Sequence, residues 1–133
     1  AALVEGGVDV LILETFTDGK ELVRAIKAAK KTGLPVVAQM AVAAELTAFA
    51  GADVVGVNCV DARTAAAAVE RLLRDSGGRP VSAFPHAGLP GSLVGPAEFA
   101  RSVKRLAKLG AKLLGGCCGA SPAHVKALAE AVE

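Results

Sequence analysis

Five apolar runs, each followed by a stretch of helical periodicity, alternate along this 133-residue chain, and that order predicts an α/β fold of parallel βα units. The runs are of two kinds, which also alternate. Gly51-Ala52-Asp53-Val54-Val55-Gly56-Val57-Asn58-Cys59 lines up with Gly110 to Cys118, and Gly7 to Thr15 is a weaker third copy; Gly33 to Ala38 and Gly78 to Ala83 are of the other kind. A β/α barrel fills its interior layers from alternate strands and carries its chemistry at their C-terminal ends. The polar pairs Glu14-Thr15, Asn58-Cys59 and Cys117-Cys118 all fall at such ends. The prediction is therefore a partial TIM barrel of about five βα units forming a single domain over residues 1–133, short of the roughly 250 residues of a full barrel.

Taken in order, Ala1 to Gly6 reads as the last turn of a helix closed by Gly6-Gly7. Val8 to Leu13 is a near-continuous apolar run, as in a parallel strand buried on both faces. Asp18 caps the next helix, with Glu21 at capping-box spacing; Leu22, Val23, Ile26 and Ala29 form its stripe, Lys27, Lys30 and Lys31 suit its C-terminal dipole, and Gly33 ends it. Pro35 to Met40 is the second strand, followed by a short Ala-rich helix near Val42 to Ala50. Val54 to Asn58 is the third strand. Its helix runs from about Asp61 or Ala62 to Asp75, buried along Ala65, Ala68, Val69 and Leu72, and Ser76-Gly77-Gly78 breaks it. Val81 to Phe84 is the fourth strand and leads into the loop Pro85 to Gly91. Pro96 opens a helix buried by Phe99, Val103 and Leu106 and stopped by Gly110. Lys112 to Gly115 is the fifth strand, and the last helix spans Ser121 to about Val132.

Composition excludes several classes. The formal charge of +2 is spread over helices, which leaves no nucleic-acid footprint. No apolar run reaches the ~18 residues of a membrane span, and the N-terminus reads as lacking a cleavable leader. Three cysteines, two adjacent, do not make a secreted disulfide framework and suit a reducing cytoplasm. A disulfide between neighbours would be strained. Gly115 to Gly119 lacks the GxGxxG order of a dinucleotide loop.

The chemistry lies in Gly110 to Ser121. Successive side chains of a regular strand face opposite ways, so Cys117 and Cys118 reach one target only if the backbone bends, and Gly115, Gly116 and Gly119 permit this. Cys59 sits on the next-but-one strand. A curved wall brings the three thiols together at its rim, a set that matches Zn2+ with a fourth tetrahedral position open. A thiol arriving there would lose its proton to solvent at neutral pH. Glu14, on the same rim, suits a substrate ammonium group, and Thr15 and Asn58 are read with it as substrate-binding. Set against these are blander readings: Cys59 as an inert buried thiol and Glu14 as a backbone cap; His86 is read either as a partner of a thiolate or of the substrate, or as a solvated loop residue. His124 is read as a surface residue.

Glu14-Thr15, Val57-Asn58-Cys59, Ala87-Gly88-Leu89-Pro90 and Gly115-Gly116-Cys117-Cys118-Gly119 with Ser121-Pro122-Ala123-His124 together resemble the homocysteine-binding domain of the homocysteine S-methyltransferase family, of the methionine synthase and betaine-homocysteine methyltransferase type. The resemblance implies a zinc-dependent (β/α)8 barrel that transfers a methyl group to homocysteine sulfur, giving methionine. On it, Cys59, Cys117 and Cys118 match the zinc ligands and Glu14 the contact to the substrate amine. The five units correspond to strands 4 to 8, so the first three βα units would be lacking. The chain also departs from the family in its short Met40 to Gly51 segment, in His86 where Asn is usual, and in Val60-Asp61 after the first cysteine. Implied partners are homocysteine and a methyl donor (methyl-cobalamin or methyltetrahydrofolate, betaine, or S-methylmethionine), with a homo-oligomer or a complementing N-terminal half, and neither nucleic acid nor membrane. Two other readings stand beside it: an inactive barrel fragment that binds zinc or self-associates, and a different barrel enzyme such as a lyase.

Overall fold

β-Branched and small apolar residues dominate the middle of the chain, and there the strands form where the pattern puts them. In the computed structural model, which describes residues 2–41 and 46–133, the order is α1 (Ala2–Glu5), β1 (Leu11–Phe16), α2 (Gly19–Lys30), β2 (Val36–Met40), a 3-10 turn (Leu46–Phe49), β3 (Val54–Asn58), α3 (Ala62–Asp75), β4 (Val81–Phe84), α4 (Pro96–Leu109), β5 (Leu113–Leu114) and α5 (Pro122–Val132). Part of the helix expected near Val42 to Ala50 lies outside the described residues; its end is the 3-10 turn.

The five strands form one parallel sheet in the order β1-β2-β3-β4-β5. Doubly wound sheets reverse their strand order at a switch point. Here each crossover moves on to the next strand, which is the order of a barrel wall. The expected class, α/β with parallel units as a partial TIM barrel, is the one found.

One face of the wall carries the core. Val36, Ala38 and Met40 of β2, Val55 and Val57 of β3, and Val81 and Ala83 of β4 pack with Leu22 and Ile26 of α2, Val69 of α3, and Phe99, Val103 and Leu106 of α4. Each of the Val, Leu, Ile, Met and Phe side chains among them, fully buried, contributes about 1.5–3 kcal/mol. Residues between them point to the other face. There the register sets Gln39, Gly56 and Ser82 side by side, Gln39 Nε2 donates to Ser82 Oγ at 3.0 Å, and a Cβ on Gly56 would collide with Ser82.

Helix ends follow the sequence closely. The side chain of Asp18 accepts from the amides of Lys20 and Glu21; among the described residues, the Asp18 half of the expected capping box forms alone. Asp61 caps α3 in the same way. Pro96 sits in the first turn of α4, and Gly110 closes that helix with φ +121°.

Four expectations need correction. The first strand begins at Leu11, not Val8, because pairing starts where β2 offers a partner: Leu11 N donates to Pro35 O. Nor is it buried on both faces, since Ile12 is 45% exposed on the face away from the helices. The fifth strand shrinks to Leu113–Leu114 because the chain turns at once into the glycine segment. His124 is not on the surface. It is buried, its Nδ1 accepts from Ser121 N at 3.1 Å, its Nε2 donates to Val94 O at 2.9 Å, and its ring meets Phe99 edge-on. The Ser121-x-x-His124 spacing is a capping box with histidine in the place of the usual Glu or Gln.

Candidate metal centre

At the C-terminal rim, β3 ends on Asn58 and the next residue, Cys59, takes φ +56°, left-handed backbone that few residues other than glycine adopt. Its amide is held by Phe84 O at 3.0 Å. The β5 side curls. Cys117 N donates to Pro85 O at 2.9 Å, Ala87 N to Cys118 O at 2.8 Å, and Ala120 N to Cys117 O at 3.1 Å. The first two bonds lash the cysteines to the loop after β4, the third closes their own turn, and Gly119, at φ +76°, completes it.

The sulfurs of Cys59, Cys117 and Cys118 all lie within 4.8 Å of one another, and those of Cys59 and Cys118 are 3.4 Å apart. All three thiols are free. Tetrahedral zinc with Zn–S bonds of about 2.3 Å spaces its sulfurs about 3.8 Å apart, so shifts of under about 1 Å would gather these three around one ion. Cys118 is exposed and the other two are half-buried, which leaves the cluster an open side. Hydrogen bonding with the Cys117 sulfur, then burial and the Cys118 sulfur, push the Cys59 thiol up to about 12. Uncharged sulfurs can share protons; three thiolates this close need a cation.

Glu14 and Thr15 reach the same rim through a bulge. Leu13 pairs with Ala38 and Phe16 with Met40, so two residues of β1 oppose the single Gln39 of β2. Thr15 takes φ +63° there. A bulge of this kind re-aims a side chain beside a site, and Glu14 is left exposed. Asn58, fully buried, links the two tips. Its Oδ1 accepts from Thr15 N at 2.9 Å, and its Nδ2 donates to Thr15 Oγ1 at 2.7 Å, to Glu14 Oε2 at 3.3 Å and to Cys117 Sγ at 3.8 Å.

The structure thus brings together Glu14, Thr15, Asn58, Cys59, Cys117 and Cys118. The Nδ1 of His86 accepts from Gly88 N at 3.0 Å, and the residue lines a cavity of about 180 Å3 with Asp61, Ser92, Phe99 and Ser102. Residues the sequence reading missed are those that brace the loops: Pro85 and Ala87 through their backbones, and Phe84 through its carbonyl. Backbone partners leave no side-chain signature.

The family model described as homocysteine S-methyltransferase matches residues 1–132. Methionine synthase of Mycobacterium tuberculosis is 32% identical over 160 residues, covering 98% of this chain and 13% of that protein. Betaine-homocysteine S-methyltransferase 1 of Bos taurus is 27% identical over 165 residues, covering 96% of this chain and 40% of that protein. The homocysteine methyltransferase MmuM from Escherichia coli, in its apo form, superposes with a TM-score of 0.78 at 21% identity over 98% of this chain and 52% of that one, and its metallated form with 0.74 at 22% over 96% and 46%. The structural likeness speaks for the fold. The chain spans about half the length of the solved relative and less of the two curated ones. Matched over nearly its whole length, the chain belongs to the homocysteine S-methyltransferase family.

Proposed function

We propose that this chain forms the metal-holding part of an enzyme that transfers a methyl group to the thiol of homocysteine, forming methionine in a zinc-dependent reaction. The observation that carries the reading is the gathering of three sulfurs within 4.8 Å on the rim that also bears Glu14. Cys59, Cys117 and Cys118 would hold the ion, the donor set zinc favours when a fourth position is left for substrate. Bound there, zinc supplies a Lewis acid that makes a thiol in its vicinity give up its proton near neutral pH.

The chain's own residues supply recognition and aim. Glu14, exposed at the rim, has one carboxylate oxygen engaged by Asn58 and the other available to a substrate ammonium group. Thr15, next to it in the bulge, fixes the direction in which that carboxylate points. In the balanced step the substrate thiol releases its proton to solvent, a sulfur electron pair attacks the methyl carbon, and the donor atom departs with the electrons of the broken bond. Methyl-cobalamin or methyltetrahydrofolate, betaine and S-methylmethionine are the donor classes to try. Three free thiols at one point favour a reducing, cytoplasmic setting, and among the described residues no helix is long and apolar enough to cross a membrane.

The test is methionine formation by the full-length protein given zinc, homocysteine and each donor in turn. Turnover with one donor, abolished in Cys59→Ser, is expected; no methionine with any donor overturns the assignment. The reading of an inactive barrel fragment that binds zinc or self-associates is favoured by one observation, the exposure of Ile12 and Leu113 on the face away from the helices. Zinc binding and a dimer by light scattering, with no turnover, would be its signature. A complementing N-terminal half would cover the same face.

A further inference from the structure

We propose that Asn58 is a positioning residue, which ties the tip of β1 to the tip of β3 and so fixes the spacing between the Glu14 carboxylate and the Cys117 sulfur. The meaning of that spacing, amine recognition at one end and metal binding at the other, rests on the function proposed above.

The amide's orientation follows from its partners. A backbone N–H can only donate, so the side-chain atom facing Thr15 N at 2.9 Å is Oδ1. Nδ2 then faces Thr15 Oγ1, Glu14 Oε2 and Cys117 Sγ. Two hydrogens serve three acceptors: the 2.7 Å bond to Thr15 takes one, and Glu14 and Cys117 share the other. Asn58 is 0% exposed, and each of its polar atoms already has a partner within the chain. An amide so enclosed supports the site without touching the substrate.

What it supports is specific. Its bond to Thr15 N braces the left-handed bulge at φ +63°, a conformation that a β-branched residue avoids unless its surroundings impose it. The bulge aims Glu14. The same amide donates to a sulfur of the metal set, and groups that hydrogen-bond to ligands orient them and tune the metal. Removing Asn58 therefore frees the carboxylate and the sulfur together. A direct substrate contact would affect binding of the substrate alone.

The experiment titrates zinc into the metal-free, full-length protein against a chromophoric chelator, which requires no substrate. Asn58→Ala is expected to lose about 10- to 100-fold in zinc affinity and to raise the KM for homocysteine, whereas Glu14→Ala raises KM and leaves zinc affinity unchanged. Thr15→Val, equal in shape but without the hydroxyl, should lose zinc affinity in the same direction by a smaller factor, and Thr15→Ser should restore it. If Asn58→Ala does not fold, the Thr15 pair decides. Zinc affinity within twofold of wild type in Asn58→Ala, or in Thr15→Val where only that pair folds, overturns the proposal. If the wild type makes no methionine, the assigned reaction fails, while the zinc titration still tests Asn58.

Discussion

Gly119 offers a direct measure of how tightly the cysteine turn is bound to its neighbour. Alanine there meets two costs. The first is the backbone: at φ +76° a residue with a Cβ sits in left-handed space at about 1–2 kcal/mol. The second is contact. The new Cβ would lie 2.7 Å from Gly88 O and 2.7 Å from Leu93 Cδ2. Leu93 is largely exposed and can swing aside, but the Gly88 carbonyl is main chain, one residue from the amide that bonds Cys118 O. Forcing that carbonyl away adds a strain of about 1–3 kcal/mol. Gly77 supplies the control, because its φ is +66° and nothing lies within 4 Å of its missing Cβ. Urea unfolding should therefore show Gly119→Ala losing about 3 kcal/mol and Gly77→Ala about 1. Zinc separates them further: a displaced Cys118 should shrink the stabilisation that added zinc gives to Gly119→Ala and leave it whole in Gly77→Ala. Equal losses in the two variants, or full zinc stabilisation of Gly119→Ala, would refute the reasoning.

Acid should expose the role of Asp53. Its hydrogen bonds from Lys30 Nζ, at 2.9 and 3.0 Å, and from Val36 N, at 2.7 Å, hold its carboxyl below the usual range. With the folded value below the unfolded one of about 3.9, the contribution is present above about pH 4 and fades as pH falls through the depressed value; urea midpoints of Asp53→Asn should flatten over that window. Replacing His124 with Ala removes the reciprocal cap on Ser121 and leaves Val94 O without its donor, at a cost of about 2–3 kcal/mol; His124→Gln, able to reach back to the Ser121 amide, should recover part of it in the same assay. In metal-free protein at mild alkaline pH, the Cys59 thiol, pushed up to about 12, should alkylate more slowly than Cys118 by peptide mass spectrometry. Zinc at 100 times its dissociation constant should raise unfolding stability by about 2.7 kcal/mol, and a chelator should remove that gain.

Central elements were readable because their local and tertiary requirements agree. Val54 to Asn58 and Val81 to Phe84 form strands over the expected residues: each lies between two neighbours, so the apolar pattern and the pairing have the same limits. At the margins the two diverge. Val8 and Val10 continue the apolar run of Leu11 to Leu13 across Asp9, but β1 can extend only where β2 pairs with it, and β5 stops after two residues because the turn that carries Cys117 and Cys118 begins immediately. His124 misled for a related reason. Histidine at the third position of a helix is unremarkable by type, and its burial comes from Phe99 and Val94, some thirty residues earlier.

The residues of the site were easier to find than the geometry that makes it one. Glu14-Thr15 and Asn58-Cys59 occupy equivalent places in the repeat, and the structure gives them a shared backbone: Thr15 and Cys59 are the two non-glycine residues with positive φ among those described. In the third copy the same bend falls one residue later, on Gly119, where glycine takes it without strain. Only that copy announces its bend in the sequence. Strain at the other two tips, of order 1–3 kcal/mol each, must be met by the surroundings, and Asn58 and Phe84 O are what meet it. A left-handed residue reverses the alternation of side chains, so the one after a strand can face the same rim as the strand's last residue. The backbone cost at Thr15 and Cys59 is therefore tied to placement: with regular alternation Thr15 and the Cys59 sulfur would face away from the side that Glu14, Asn58 and Cys117 share.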